Sequence, residues 1–136
     1  MTYWRLHYHL IWATFERKPS LTPENEKVFY GVLYQKAKEL DLKIHAVGNT
    51  EDHVHVVLSI PPKLSLADCV RNLKGASAYA INHKNGNEAE IKWQEGYGAL
   101  TLGERSLKTV KAYVTRQKEH HQENSSLSVY EKIEEK

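Results

Sequence analysis

His53-Val54-His55 sets two imidazoles two residues apart inside an alternating run, Asp52 to Ile60. On a β-strand such residues face one side, with Cα atoms about 6.5–7 Å apart. Two rings at that spacing can close on one divalent cation. Val54 points the opposite way, into a core, and would hold the strand half-buried and the pair rigid. The same form recurs at His7-Tyr8-His9. Either pair also suits two packed structural histidines, and spacing alone does not choose.

A second set of reactive side chains lies near the C-terminus. At about 100° per helical residue, Thr109, Gln117 and His120 fall within about 40° of Tyr113. Val110, Leu107 and Val114 form an apolar stripe beside this polar row. Arg105 and Arg116 flank it. A tyrosine set among positive charges and away from acids can attack a phosphodiester. Its phenol, with a pKa of about 10, needs a cation nearby to favour the phenolate. An ordinary half-exposed helix face fits the same pattern.

The elements that must position these groups are legible as well. Tyr3 to Thr14 is aromatic and β-branched and reads as a strand with Arg5, His7 and His9 on one face. Thr22-Pro23 is a helix start, and Glu24 to Leu40 carries apolar residues at helical spacing. Lys43 to Gly48 and Asp52 to Ile60 are two strands joined by a short turn, hence an antiparallel hairpin. Ser65 caps a second helix reaching His83, with a buried stripe of Leu66, Val70, Leu73, Ala76, Ala80 and Ile81. Ile91–Trp93 and Gly98–Leu102 read as a short, glycine-interrupted strand region. Ser106 would cap a third helix, Leu107 to His121. The order β-α-β-β-α-β-α predicts an α+β, ferredoxin-like antiparallel sheet with helices on one face and an added C-terminal helix. The second face is then left for a ligand or another subunit. Residues 1–123 make one domain and 124–136 a polar tail.

Composition narrows the function classes. A chain of 136 residues, 40% hydrophobic and 26% charged, builds one core and is not a disordered tail. No apolar run approaches the roughly 20 residues of a membrane span, and the N-terminus lacks the apolar stretch of a signal peptide. The single cysteine, Cys69, excludes an internal disulfide and a thiolate zinc cage; it reads as a small buried residue, and a reducing cytoplasm is the expected compartment. Between Arg105 and Lys118 there are five basic residues and no acid. Arg71, Lys74 and Lys84 add a second basic segment. Two such segments suit a polyanion, or two solvated helix faces. No G-x-x-x-x-G-K-[ST] phosphate loop is present.

Four blocks, in order, resemble the single-tyrosine His-hydrophobe-His transposases of the IS200-like family and the related REP-associated tyrosine transposases. They are Asp52-His53-Val54-His55-Val56-Val57, Leu73-Lys74-Gly75-Ala76-Ser77, Trp93-Gln94-Glu95-Gly96-Tyr97, and Tyr113-Val114-Thr115-Arg116-Gln117 with His120-His121. The resemblance selects His53 and His55 over His7 and His9. It implies cleavage and rejoining of single-stranded DNA, often beside a hairpin, in a bacterial or archaeal cell. Tyr113 would be the nucleophile, and His53, His55 and Gln117 the ligands of Mg²⁺ or Mn²⁺. Arg71, Lys74, Lys84, Arg105 and Arg116 are the candidate DNA contacts, and His120 is a candidate auxiliary group. His7, His9 and His45 are expected to be packed or surface histidines. The resemblance further implies a homodimer, in whose insertion-sequence branch the tyrosine helix of one subunit completes the histidine pair of the other. Gly96, Gly98 and Gly103 could serve as a hinge. Two rivals stay open: a non-catalytic hairpin-binding DNA or RNA module on the same fold, and an unrelated ferredoxin-like protein with a structural metal.

Overall fold

The computed structural model describes residues 3–84 and 90–116. In chain order the elements are β1 (His7–Ala13), α1 (Pro23–Leu40), β2 (Lys43–Asn49), β3 (His53–Ser59), α2 (Leu66–Asn82), β4 (Gly98–Leu102) and α3 (Glu104–Thr115). The four strands form one antiparallel sheet in the order β2-β3-β1-β4. This is the expected α+β, ferredoxin-like arrangement.

Local chemistry explains the boundaries. The Thr22 hydroxyl accepts from Asn25 N–H, and Pro23 opens α1 with a fixed φ and no donor to lose. Asp41, at φ 58°, turns the chain out of α1 in the left-handed region, and Leu42 N–H bonds back to the Ala37 carbonyl. Ser65 caps α2 through Asp68 N–H. One face of the sheet supplies Leu10, Trp12, Val54, Val56 and Leu58 to the main core, against Phe29 and Leu33 of α1 and Cys69, Val70, Leu73 and Ile81 of α2. Cys69 is fully buried, and burial pushes its thiol up to about 11.

Several expectations are corrected. The first strand begins at His7, not Tyr3. Ile91–Trp93 forms no strand; it makes one bridge, Thr14 to Trp93, and is fastened to α2 instead. There the Asn82 side chain bonds both backbone groups of Ile91, and Trp93 Nε1–H donates to the Lys74 carbonyl. The third helix starts at Glu104 behind Gly103, so Ser106 sits within its first turn and is not its cap.

The largest correction concerns the second face of the sheet. It is not left open, because α3 lies across it. Val110, Tyr113 and Val114 pack on Ala46 and Val57. The apolar stripe of α3 needs burial, and these two residues supply an apolar patch between polar neighbours. As a result every residue of β3 is buried, where one face alone was expected to be. The segment after Arg116, with Gln117, His120 and the expected tail at 124–136, lies outside the described residues.

Candidate active site

His53 and His55 sit at the start of β3 on the face that α3 crosses. Both are buried, and their ring centroids lie 5.2 Å apart. The Tyr113 ring stands edge-on to His55 at 6.2 Å, in the same chain. The tyrosine and the histidine pair are therefore brought together, as the sequence suggested. Tyr113 is itself 6% exposed.

Neighbouring residues orient the two imidazoles. His53 Nδ1 lies 2.8 Å from Asp52 Oδ1, with Thr50 Oγ1 at 2.9 Å and Arg17 Nη2 at 3.3 Å. An Nδ1–H donating to that carboxylate leaves the Nε2 lone pair as the metal-binding atom, the usual way a carboxylate sets up a histidine ligand. Arg17 Nη2–H donates to the same Asp52 oxygen at 3.2 Å. Burial acts to raise the Asp52 carboxyl, but the His53 hydrogen bond and the Arg17 charge outweigh it and hold the group at about 2. Arg17 reaches this place from a short 3₁₀ turn, Phe15–Arg17, whose Glu16 and Arg17 both adopt φ 55°. Non-glycine residues enter that region at a cost of roughly 1–2 kcal/mol each.

His9 joins the cluster from β1. The register pairs Ile11 with His55 and His9 with Val57, so His9 lies diagonally across from His55 on the same face. His9 Nε2 and His55 Nδ1 are 2.8 Å apart. The tautomer in which His55 Nδ1–H donates to His9 Nε2 leaves the His55 Nε2 lone pair for a cation. Sequence reasoning missed His9, Thr50 and Arg17 as site residues. The alternation of β1 carried a signal for His9, which faces the same side as His7. Nothing in the spacing announced Arg17.

Among the described residues no group of three or more His, Cys, Asp or Glu side chains is arranged to hold a metal ion. The donor set that fits a cation is the pair His53 and His55. Two neutral nitrogens oriented by hydrogen bonds would leave most positions of a six-coordinate ion to further ligands.

The candidate DNA contacts are placed unevenly. Arg71, on α2, is exposed and paired with Asp68. Arg105 and Arg116 are exposed at the two ends of α3. Lys74 donates to the carbonyls of Gln94 and Gly96, and burial lowers its pKa. Gly96 holds φ 88° to make that turn. Lys84 donates to Asn25 Oδ1 beside Glu24. Tyr30, half-buried on α1, donates its hydroxyl to Asn49 Oδ1, and burial, with Glu26 and Tyr34 nearby, pushes its phenol to about 12.

The fold is that of known transposases. A crystal structure of a transposase from Deinococcus radiodurans superposes with a TM-score of 0.64 at 30% identity, covering 86% of this chain and 95% of that one. A REP-associated tyrosine transposase solved with a REP hairpin shares the fold at a TM-score of 0.68 and 15% identity, over 89% of this chain and 74% of that one. The family model described as "Transposase IS200 like" matches residues 2–117, and the chain belongs to that family of DNA transposases. Relatives include the transposase of insertion sequence IS200 from Salmonella typhimurium, 26% identical over 94% of this chain and 87% of that protein. The ISDra2 transposase TnpA of Deinococcus radiodurans is 29% identical over 84% and 85%. Among the described residues no helix is long and apolar enough to cross a membrane.

Proposed function

We propose that this transposase cleaves and rejoins single-stranded DNA through a 5′-phosphotyrosine at Tyr113, with Mg²⁺ or Mn²⁺ at His53 and His55. The observation that carries this reading is the approach of Tyr113 to His55 within one chain. Gln117, four residues beyond Tyr113, is the third ligand in this reading, and His120 an auxiliary group on the same helix face. A bound cation would neutralise charge on the scissile phosphate.

Tyr113 Oη attacks phosphorus. An O–P bond forms to the 5′-phosphate, the P–O3′ bond breaks, and the departing 3′ oxygen takes a proton as the phenol gives one up. A later 3′-hydroxyl attacks the same phosphorus and releases Tyr113. The number of phosphodiester bonds is conserved, so no nucleotide triphosphate is needed. Asp52 and Thr50 hold the His53 ring, and His9 holds the His55 ring, so both imidazoles are oriented before substrate arrives.

In this reading residues 1–123 are the transposase domain, 124–136 a polar tail, and the site of action the cytoplasm. The DNA bears hairpins, as in the hairpin-bound relative. Arg71, Arg105 and Arg116 contact its backbone; for Lys74 and Lys84 the same role competes with their bonds to protein oxygens. The protein works as a homodimer. The test is incubation with a labelled library of single-stranded hairpin oligonucleotides and Mn²⁺, read on a denaturing gel. A covalent protein–DNA adduct is expected, absent in Tyr113→Phe. Binding without an adduct would favour a non-catalytic hairpin-binding module.

A further inference from the structure

The other end of the same sheet face holds a pocket of about 440 Å³. Its lining includes Trp4, Arg5, His7, Lys43, His45 and Ser59. Ser59 is four residues along β3 from His55, about 13 Å away. The apolar patch of Ala46, Val57, Val110 and Val114 lies between the two places. We propose that this pocket takes one unpaired nucleotide of a DNA strand, its base against Trp4 and its phosphate between Lys43 and Arg5. This rests on the reading of single-stranded DNA as substrate.

Three kinds of group meet here, and together they narrow the ligand. The first is a flat apolar surface: Trp4 is half-buried, and the neighbouring Tyr3 is 75% exposed with the Arg5 guanidinium 4.9 Å from its ring centroid. Base–aromatic stacking works with any base. The second is positive charge. Lys43 is exposed and has no carboxylate partner among the described residues. Arg5 binds Glu104 and the Trp4 carbonyl, which leaves further donors of its fork available.

The third is a directed hydrogen-bond chain on the floor. The bond from His7 holds the Glu104 carboxyl below its usual range, so Glu104 accepts from His7 Nε2–H at 2.8 Å. In the tautomer where His7 Nδ1 accepts, the Ser59 hydroxyl donates to it at 2.7 Å, Ser59 Oγ accepts from His45 Nε2–H at 2.7 Å, and His45 Nδ1 is left as an acceptor. Burial, together with His7, Lys43 and Lys111, lowers the His45 pKa and keeps that ring neutral. An inorganic anion uses neither the aromatic wall nor this acceptor. An apolar ligand would bury two cations. A nucleotide uses the wall, the charge and the acceptor, and the volume lies in the usual range for a small-molecule site.

The test titrates the protein with dAMP, dCMP, dGMP and dTMP separately. The readouts are the ring signals of His7 and His45 and the Trp4 indole signal by NMR. At least one mononucleotide is expected to move all three with affinity of about 1 mM, leaving the His53 and His55 signals in place. Lys43→Glu, at an exposed position, is expected to weaken that binding about tenfold or more with an unchanged melting midpoint. Equal shifts with inorganic phosphate overturn the proposal, as does no shift with any of the four. A missing Tyr113 adduct alongside intact shifts counts against strand cleavage alone. An adduct alongside missing shifts counts against the pocket alone.

Discussion

The two ends of one sheet face use the same side chains differently. At the start of β3, His53, His55 and His9 are buried, with Tyr113 edge-on to His55, and their hydrogen bonds aim ring nitrogens at one another and at Asp52. At its end, His7 and Ser59 form the floor of an open pocket with His45, and the chain of bonds finishes on Glu104 of α3. The difference follows from α3. Its last turn brings Tyr113 against His55, while Glu104 and Leu107 at its start line the side of the second pocket. Histidine content therefore says little until the covering element is known. A closed, carboxylate-oriented pair suits a cation and a nucleophile; an open, cation-rimmed pocket suits a ligand that arrives from solvent.

The contrast can be broken from its strongest point downward. Tyr113→Phe is expected to abolish the covalent adduct on a denaturing gel while leaving mononucleotide binding at the far pocket intact. Loss of both together would show that the ends are not separate. His55→Ala should likewise remove the adduct, and calorimetric titration with Mn²⁺ should show the loss of cation binding. Asp52→Asn keeps the shape of the side chain but weakens its hold on His53. Metal affinity or adduct yield should fall roughly 10- to 100-fold, as read by titration of Mn²⁺ against yield.

Smaller effects probe what joins the ends. Val110→Ala trims the apolar patch under α3. At about 0.8 kcal/mol per buried methylene, plus a cavity term, it should cost roughly 2 kcal/mol in urea unfolding. The smallest effect concerns pH. His45 has a folded pKa below its unfolded value, because burial and the neighbouring His7, Lys43 and Lys111 disfavour the imidazolium, against Glu104. Its contribution to stability is therefore complete above the unfolded value of about 6.5 and declines as pH falls below it. His45→Asn should make the melting midpoint less sensitive to pH between about 7 and 5; an unchanged slope would remove His45 from the pocket's electrostatics.

Much of this was legible in order along the chain. Period-two alternation marked β2 and β3, helical spacing marked α1 and α2, and Thr22-Pro23 and Ser65 marked two helix starts through the backbone donors they satisfy or dispense with. The third helix was harder to bound. Glycine is a weaker start signal than serine, so Ser106 drew attention from Gly103. The His53/His55 pair was visible because strand geometry converts a spacing of two into a shared face. His9 was not assigned to that pair, because its place depends on how β1 registers against β3, a long-range alignment.

The amino-acid order by itself determined the family, the ferredoxin-like succession of elements and the presence of two imidazoles on one side of a strand. The family is carried by the resemblance of four ordered blocks; the elements and the shared face follow from local periodicity and local capping chemistry, which act over a few residues. Tertiary structure alone decided that α3 folds over the second face, that Arg17 and Asp52 meet at His53, and that Glu104, His7, Ser59 and His45 form one chain of bonds. Those contacts join residues 14 to 97 positions apart, and such pairs are set by strand register and by the burial of an apolar helix stripe, neither of which a local pattern encodes.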